Sequence, residues 1–114
     1  MISKDLLKGT LKTIVLKLLE ENGRMYGYEI TREVERLTEG KIQLSWGALY
    51  PALHKLESDH LISSEEESIG KRVRKYYTLT EAGTSAAKEK VREFIDFVTI
   101  MGRVLDTGPS LNLA

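Results

Sequence analysis

Residues Leu44–Ile62 read LSWGALYPALHKLESDHLI, and the rest of the chain is arranged around them. Ser45 is a good helix N-cap, since its hydroxyl can accept a bond from a first-turn backbone N–H. Leu49, Ala52, Leu53 and Leu56 recur at i, i+3, i+4 and i+7, the spacing of one buried helical face. Gly47, Pro51, His54 and Ser58 then fall on the opposite face, with Tyr50 and Lys55 at its margins. The small residues that open this face let a backbone or a groove wall come close. Trp46 lies near the edge of the buried arc, where packing is its ordinary role. Asp59 and His60 end the helix, and Leu61 and Ile62 begin an extended segment. Taken alone, this is an amphipathic helix with a solvated face.

Upstream, Ser3 to Asn22 reads as a helix with an apolar stripe of Leu7, Leu11, Ile14, Val15, Leu18 and Leu19, closed by Gly23. Lys4, Lys8 and Lys12 run along one edge of it as a solvated row. Arg24 to Tyr28 reads as a short connection into a second helix that runs to about Thr38. Tyr26, Ile30, Val34 and Leu37 form its inner face. Gly40 stops it, and Lys41 to Leu44 reads as a brief extended piece. Two short helices across a tight connection make a helix-turn-helix pattern.

Downstream, Leu61 to Ser68 and Arg74 to Leu79 read as the two strands of a hairpin turning at Gly70. The tip carries Lys71, Arg72, Arg74 and Lys75 within five positions. A charge run at a tip is often only solubilising. Here it follows a helix-turn-helix, the order of a winged helix, in which a helix enters the major groove and a basic wing meets the backbone or minor groove. Candidate DNA contacts are therefore Ser45, Gly47, Tyr50, Pro51, His54 and Lys55 on the helix, and Lys71, Arg72, Arg74 and Lys75 on the wing. The run Glu65, Glu66, Glu67 opposes phosphate, so it must point away or neutralise part of the wing.

Thr80 can cap a last helix that continues to about Asp106. Ala87, Val91, Phe94, Val98, Met101 and Leu105 alternate in steps of four and three, an a/d seam. Ile95 flanks it on one side, and Phe97, Ile100 and Val104 on the other. From Phe94 onward the apolar arc covers more than half the circumference, more than one side of a small domain can satisfy. A second copy is the simplest supplier of the missing surface. The expected dimer interface is Val91, Phe94, Phe97, Val98, Met101 and Leu105. Residues 107–114, with Gly108 and Pro109, read as a frayed tail.

The expected fold class is mainly α with a small β-hairpin. Residues 1–80 form a winged helix-turn-helix DNA-binding domain, 81–106 a C-terminal dimerisation helix and 107–114 a flexible tail. The totals agree with one modest domain of 114 residues. Seventeen charges of each sign leave no blanket basic field, so a nucleic-acid contact must be local. The absence of cysteine excludes disulfide and thiolate chemistry. No apolar run approaches a membrane span, and no signal-peptide core follows Met1, so a soluble cytoplasmic protein is expected. His54 and His60 share no helical face, which suggests neither a metal pair nor an acid/base pair. With no phosphate-cradling glycine loop either, neither an enzyme, a metal site nor a cofactor is expected. The alternative is a winged helix used for protein–protein contact, which would need no basic tip.

Three blocks, YGYEI (Tyr26–Ile30), GALYPALHKLE (Gly47–Glu57) and GKRVRKYYTLTEAG (Gly70–Gly83), occur in order at family-like spacing. In them the chain resembles the PadR family of bacterial transcriptional regulators, from Leu7 to about Glu89. The resemblance implies a winged-helix homodimer that represses promoters carrying inverted repeats in double-stranded DNA. It implies a C-terminal helix that crosses onto the partner, and the short branch that has one such helix. In some members DNA is released on binding an aromatic small molecule. Phe94, Phe97 and Met101 are the candidate ligand-binding residues for such an effector at the dimer interface. Val73 is a departure, standing where the family's wing often carries proline.

Overall fold

Each long helix begins at the residue whose side chain can cap it. The computed structural model describes residues 2–106. Along them run α1 (Lys4–Asn22), β1 (Arg24–Tyr26), α2 (Gly27–Leu37), α3 (Trp46–Ser58), β2 (Ile62–Ile69), β3 (Arg72–Leu79) and α4 (Glu81–Leu105). Ser3 Oγ accepts from the Leu6 N–H at 3.3 Å, Ser45 Oγ from Ala48 at 3.2 Å and Thr80 Oγ1 from Gly83 at 3.0 Å. Gly23, at φ +81°, closes α1 by donating its N–H to the Leu19 carbonyl at 2.8 Å. The frayed tail expected over 107–114 lies outside the described residues.

The core forms where α1, α2 and α3 meet one face of the sheet. Val15, Leu16, Leu19, Ile30, Leu49, Leu53 and Leu56 supply most of it, with Met25, Ile62 and Tyr77 from the strands and Ala87 from α4. The buried face of α3 is the expected Leu49, Ala52, Leu53 and Leu56. In α1, Leu16 joins the buried set, while Leu7 and Ile14 pack against its edge. A Cβ on Gly83 would stand 1.8 Å from the Leu61 carbonyl oxygen, so glycine is what lets the first turn of α4 sit against the start of β2.

The structure corrects several sequence readings. Arg24–Tyr26 is a strand, and it makes the expected hairpin a three-stranded antiparallel sheet in the order β1-β3-β2. Tyr26 therefore leaves the α2 face assigned to it, and Met25 takes the inward position of the strand. Leu37 stays 58% exposed, because the core ends one turn earlier at Val34. Residues 41–44 join no sheet. Glu39 at φ +53° and Gly40 at φ +79° turn the chain there, and Thr38 Oγ1 accepts from the Ile42 N–H at 3.1 Å.

Among the described residues no helix is long and apolar enough to cross a membrane. Ala87 is fully buried, but no residue of α4 beyond it is. Val91, Val98 and Met101 are half-buried, while Phe94, Phe97 and Leu105 are exposed. The outer half of α4 thus leaves Phe94, Phe97 and Leu105 uncovered within one chain, beside a seam of Val91, Val98 and Met101 that is partly covered.

Candidate nucleic-acid interface

The N-terminal end of α3 is held tightly against that of α2. A Cβ on Gly27 would lie 2.3 Å from Trp46 Cζ3, so the indole occupies the space a larger residue would need. Trp46 still leaves 52% of its surface exposed, less packed than its position predicts. From it a row of rings runs along α3. Trp46 and Tyr50 have centroids 5.4 Å apart, and Tyr50 and His54 6.3 Å apart. Gly47, Pro51 and Ser58 are exposed together with His54, the last ring of the row, as the spacing predicts, and Ser45, Tyr50 and Lys55 are exposed at the margins. Lys55 is bonded along the helix to Asp59 at 3.0 Å. Pro51 stands inside the helix and offers no N–H to the Gly47 carbonyl one turn back.

The wing turns on Gly70 and Lys71 alone. Gly70, at φ +61°, is the first central residue, and glycine there suits a II′ hairpin turn. The strands therefore reach further than expected, and only Lys71 of the four basic residues lies in the turn. Arg72, Arg74 and Lys75 belong to β3, where side chains alternate between faces. Lys75 shares a face with buried Tyr77 and lies 3.5 Å from Glu57 of α3. Ser64 Oγ donates to the other Glu57 oxygen. This hydroxyl bond, working against partial burial and helped by Lys75, holds the Glu57 carboxyl below its ordinary range.

Arg72 and Arg74 share the other face with Tyr76. There Arg24 Cζ lies 3.6 Å above the Tyr76 ring, and Arg74 Cζ 4.4 Å from the Tyr26 centroid. The two tyrosines meet edge to face at 5.4 Å. Tyr28 stacks beside Tyr26 and accepts from Arg32 Nη1 at 2.8 Å. Each exposed cation–π contact contributes about 0.5–1 kcal/mol, so the row ties the wing to the N-terminus of α2. The acidic run divides by the same alternation. Glu67 pairs with Arg24 at 2.6 Å, Glu65 lies on that same face, and Glu66 sits across from Lys75 on the other. The basic residues therefore form no single tip cluster. Lys71 and Arg72 end the wing, Arg74 lies over a ring, and Lys75 faces α3.

Sequence reading missed Arg24, Tyr26, Tyr28, Arg32 and Tyr76 as a connected surface. The signal available was the alternation of arginine and tyrosine at Arg24/Tyr26 and Arg74/Tyr76, which needs β1 to be recognised as a strand. Phe94, Phe97 and Met101 lie on one side of α4. Of the three, only Phe97 lines the shallow groove along α4, with Glu93, Asp96 and Ile100, and no other element contributes to it.

A helix pair held by Gly27 and Trp46, followed by a hairpin packed on the second helix, is the winged-helix arrangement. The family model for the transcriptional regulator PadR-like family matches residues 15–89. The chain belongs to the PadR-like family of transcriptional regulators. A relative, the transcriptional regulator YqjI of Escherichia coli, is 34% identical over 90 residues, which are 79% of this chain and 41% of that protein. The chain thus spans under half of that relative. A transcriptional regulator from Clostridium thermocellum superposes with a TM-score of 0.80 at 30% identity, covering 90% of this chain and 97% of the other. The PadR of Bacillus subtilis in complex with operator DNA superposes at 0.64 with 28% identity, covering 71% of this chain and 46% of that one.

Proposed function

We propose that this chain is a dimeric, sequence-specific regulator that represses promoters by binding an inverted repeat in double-stranded DNA. The observation that carries the reading is the exposed face of α3, Gly47, Pro51 and His54 with Tyr50 and Lys55, set beside a wing that ends in Lys71 and Arg72. The operator-bound PadR of Bacillus subtilis supports it by likeness. In this reading 1–80 engages DNA. Ser45, Gly47, Tyr50, Pro51, His54 and Lys55 enter the major groove, and Lys71, Arg72, Arg74 and Lys75 meet the backbone unequally. Residues 81–106 pair two copies through Val91, Phe94, Phe97, Val98, Met101 and Leu105. An aromatic effector between the paired helices, against Phe94, Phe97 and Met101, would release the DNA. It would do so by favouring a pairing angle that misplaces the two α3 helices.

Selection of bound duplexes from a random pool tests the reading. The expected product is a palindrome with half-sites about one helical turn apart. Recovery of unrelated duplexes would remove the sequence-specific part. Planar aromatic compounds should shift the thermal midpoint and lower operator affinity, and Phe97→Ala should abolish both effects. Hits unaffected by that change would place the pocket elsewhere.

A further inference from the structure

The base-edge chemistry of α3 is unusual in what it lacks. The helix, WGALYPALHKLES, contains no arginine, asparagine, glutamine or aspartate. Bidentate recognition of guanine draws on arginine or lysine, and that of adenine on asparagine or glutamine. Its one lysine, Lys55, is bonded to Asp59. Its one carboxylate, Glu57, is bonded to Ser64 and Lys75. What the helix exposes in quantity is ring surface. Trp46 and Tyr50 are 52% and 45% exposed, and the row continues to His54 in mutual contact. The neighbouring exposed residues Gly47, Ala48 and Pro51 are small and apolar. Among the base edges in the major groove, the thymine 5-methyl group is the apolar feature.

We propose that Trp46, Tyr50 and His54 pack against thymine 5-methyl groups, so that α3 selects its half-site by methyl contact instead of by bidentate hydrogen bonds. This rests on the reading that α3 enters the major groove. The rings are held before DNA arrives: Trp46 is seated on Gly27, and each ring braces the next. Little freedom is then lost on binding, which favours a contact made of small apolar areas. The row lies on the wing side of the outward face, the side on which Glu57 reaches Ser64 and Lys75. The thymines should therefore sit at the wing-proximal end of each half-site.

Deoxyuridine tests this directly, because it keeps every hydrogen-bonding group of thymine and removes only the methyl. The probe is the tightest duplex recovered from a random pool, with thymines replaced one at a time in one half-site. Substitution at a contacted position should weaken binding about fourfold, the worth of one buried methylene-sized group. Tyr50→Ala should weaken binding to the thymine duplex and lose sensitivity to deoxyuridine at its own position, so that the two changes are not additive. Tyr50→Phe should keep the sensitivity. Circular dichroism confirms that each variant is folded. If wild-type protein prefers its selected duplex over random DNA yet no deoxyuridine weakens binding, the methyl contact is wrong and groove entry stands. If sensitivity survives in Tyr50→Ala, His54→Ala and Trp46→Ala alike, the methyls are read by other residues and the assignment fails. If no duplex is preferred over random DNA, the operator reading fails, and this inference fails with it.

Discussion

Ala87 and Phe97 stand on the same helix, yet Ala87 is wholly buried and Phe97 is 56% exposed. The difference marks where the chain stops satisfying itself. Up to Ala87, α4 packs on α1, and its first turn closes on Leu61 through Gly83. Beyond Ala87 no side chain is fully covered: Val91, Val98 and Met101 are half-buried, and the residues around them open to solvent. Its apolar residues there, Phe94, Ile95, Phe97, Ile100, Val104 and Leu105, each remain more than a third exposed. One region has its interactions inside the chain, and the other holds them open for another surface. The wing repeats the contrast on a smaller scale, with Lys75 engaged by α3 and Lys71 at the free end of the turn.

The largest effect comes from breaking the satisfied region. Leu53 is fully buried against the core, so Leu53→Ala should cost ~2–5 kcal/mol in chemical denaturation. The loss should be the same at every protein concentration. The open region should answer differently. Burying one phenylalanine is worth roughly 1.5–3 kcal/mol, and a symmetric pair would bury two. Phe94→Asp should convert a micromolar dimer to monomer in sedimentation and remove the concentration dependence of unfolding, while Val98→Asp, at a half-buried position, should also lower the stability of the single chain. A wild-type monomer at micromolar concentration would sink the dimer proposal.

The contrast also sorts what could be read from the residues alone. Leu49, Ala52, Leu53 and Leu56 were legible because a helical period repeats over three turns. The caps Ser45 and Thr80 were legible because one side chain at one position decides each, whereas Ser3 was read as the first helical residue and is the cap of α1. Strand β1 was not, since three residues are too few for an alternation to show. With β1 missed, the guanidinium and tyrosine row across Arg24, Tyr26, Arg74 and Tyr76 was missed as well, because its members are far apart in the chain. The basic wing was read as one cluster for a related reason. Charge spacing counts residues, whereas strand alternation and the two-residue turn decide which way each points.

The wing cations should therefore separate in a salt titration. Each phosphate neutralised contributes about 0.9 to the slope of log affinity against log salt. Arg72 lies at the end of β3, so Arg72→Ala should flatten the slope by about two if both copies touch phosphate. Arg74 is held over Tyr26, so Arg74→Ala should flatten it less. A loss confined to A·T-flanked duplexes, with the slope unchanged, would mean that the arginine reads minor-groove width. If neither substitution changes binding to any DNA in a folded protein, the wing makes no contact and the proposed repression mechanism fails.

The smallest effect tests whether Lys75 is truly held. Its partner Glu57 is about two-thirds buried at the side chain, and its carboxyl is held below the ordinary range, first by the Ser64 hydroxyl and then by Lys75. A carboxylate whose folded pKa is depressed stabilises the fold fully above its unfolded value, about 4.3. That contribution is lost as pH falls through the lower folded value. The tie between α3 and the wing is therefore complete at neutral pH and dissolves only in acid. Glu57→Gln removes it at every pH. Solvent screening of a pair 3.5 Å apart keeps the stability change near or below about 1 kcal/mol. The acid-side fall in thermal midpoint between about pH 5 and pH 3 should be shallower in the variant, since one depressed carboxylate is missing. Freed from Glu57, Lys75 can reach phosphate, so the salt slope of DNA binding should steepen by up to about one per protomer. A slope unchanged by Glu57→Gln but flattened by Lys75→Ala would show that Lys75 meets DNA with its α3 partner still in place. The division between engaged and open cations would then not hold within the wing.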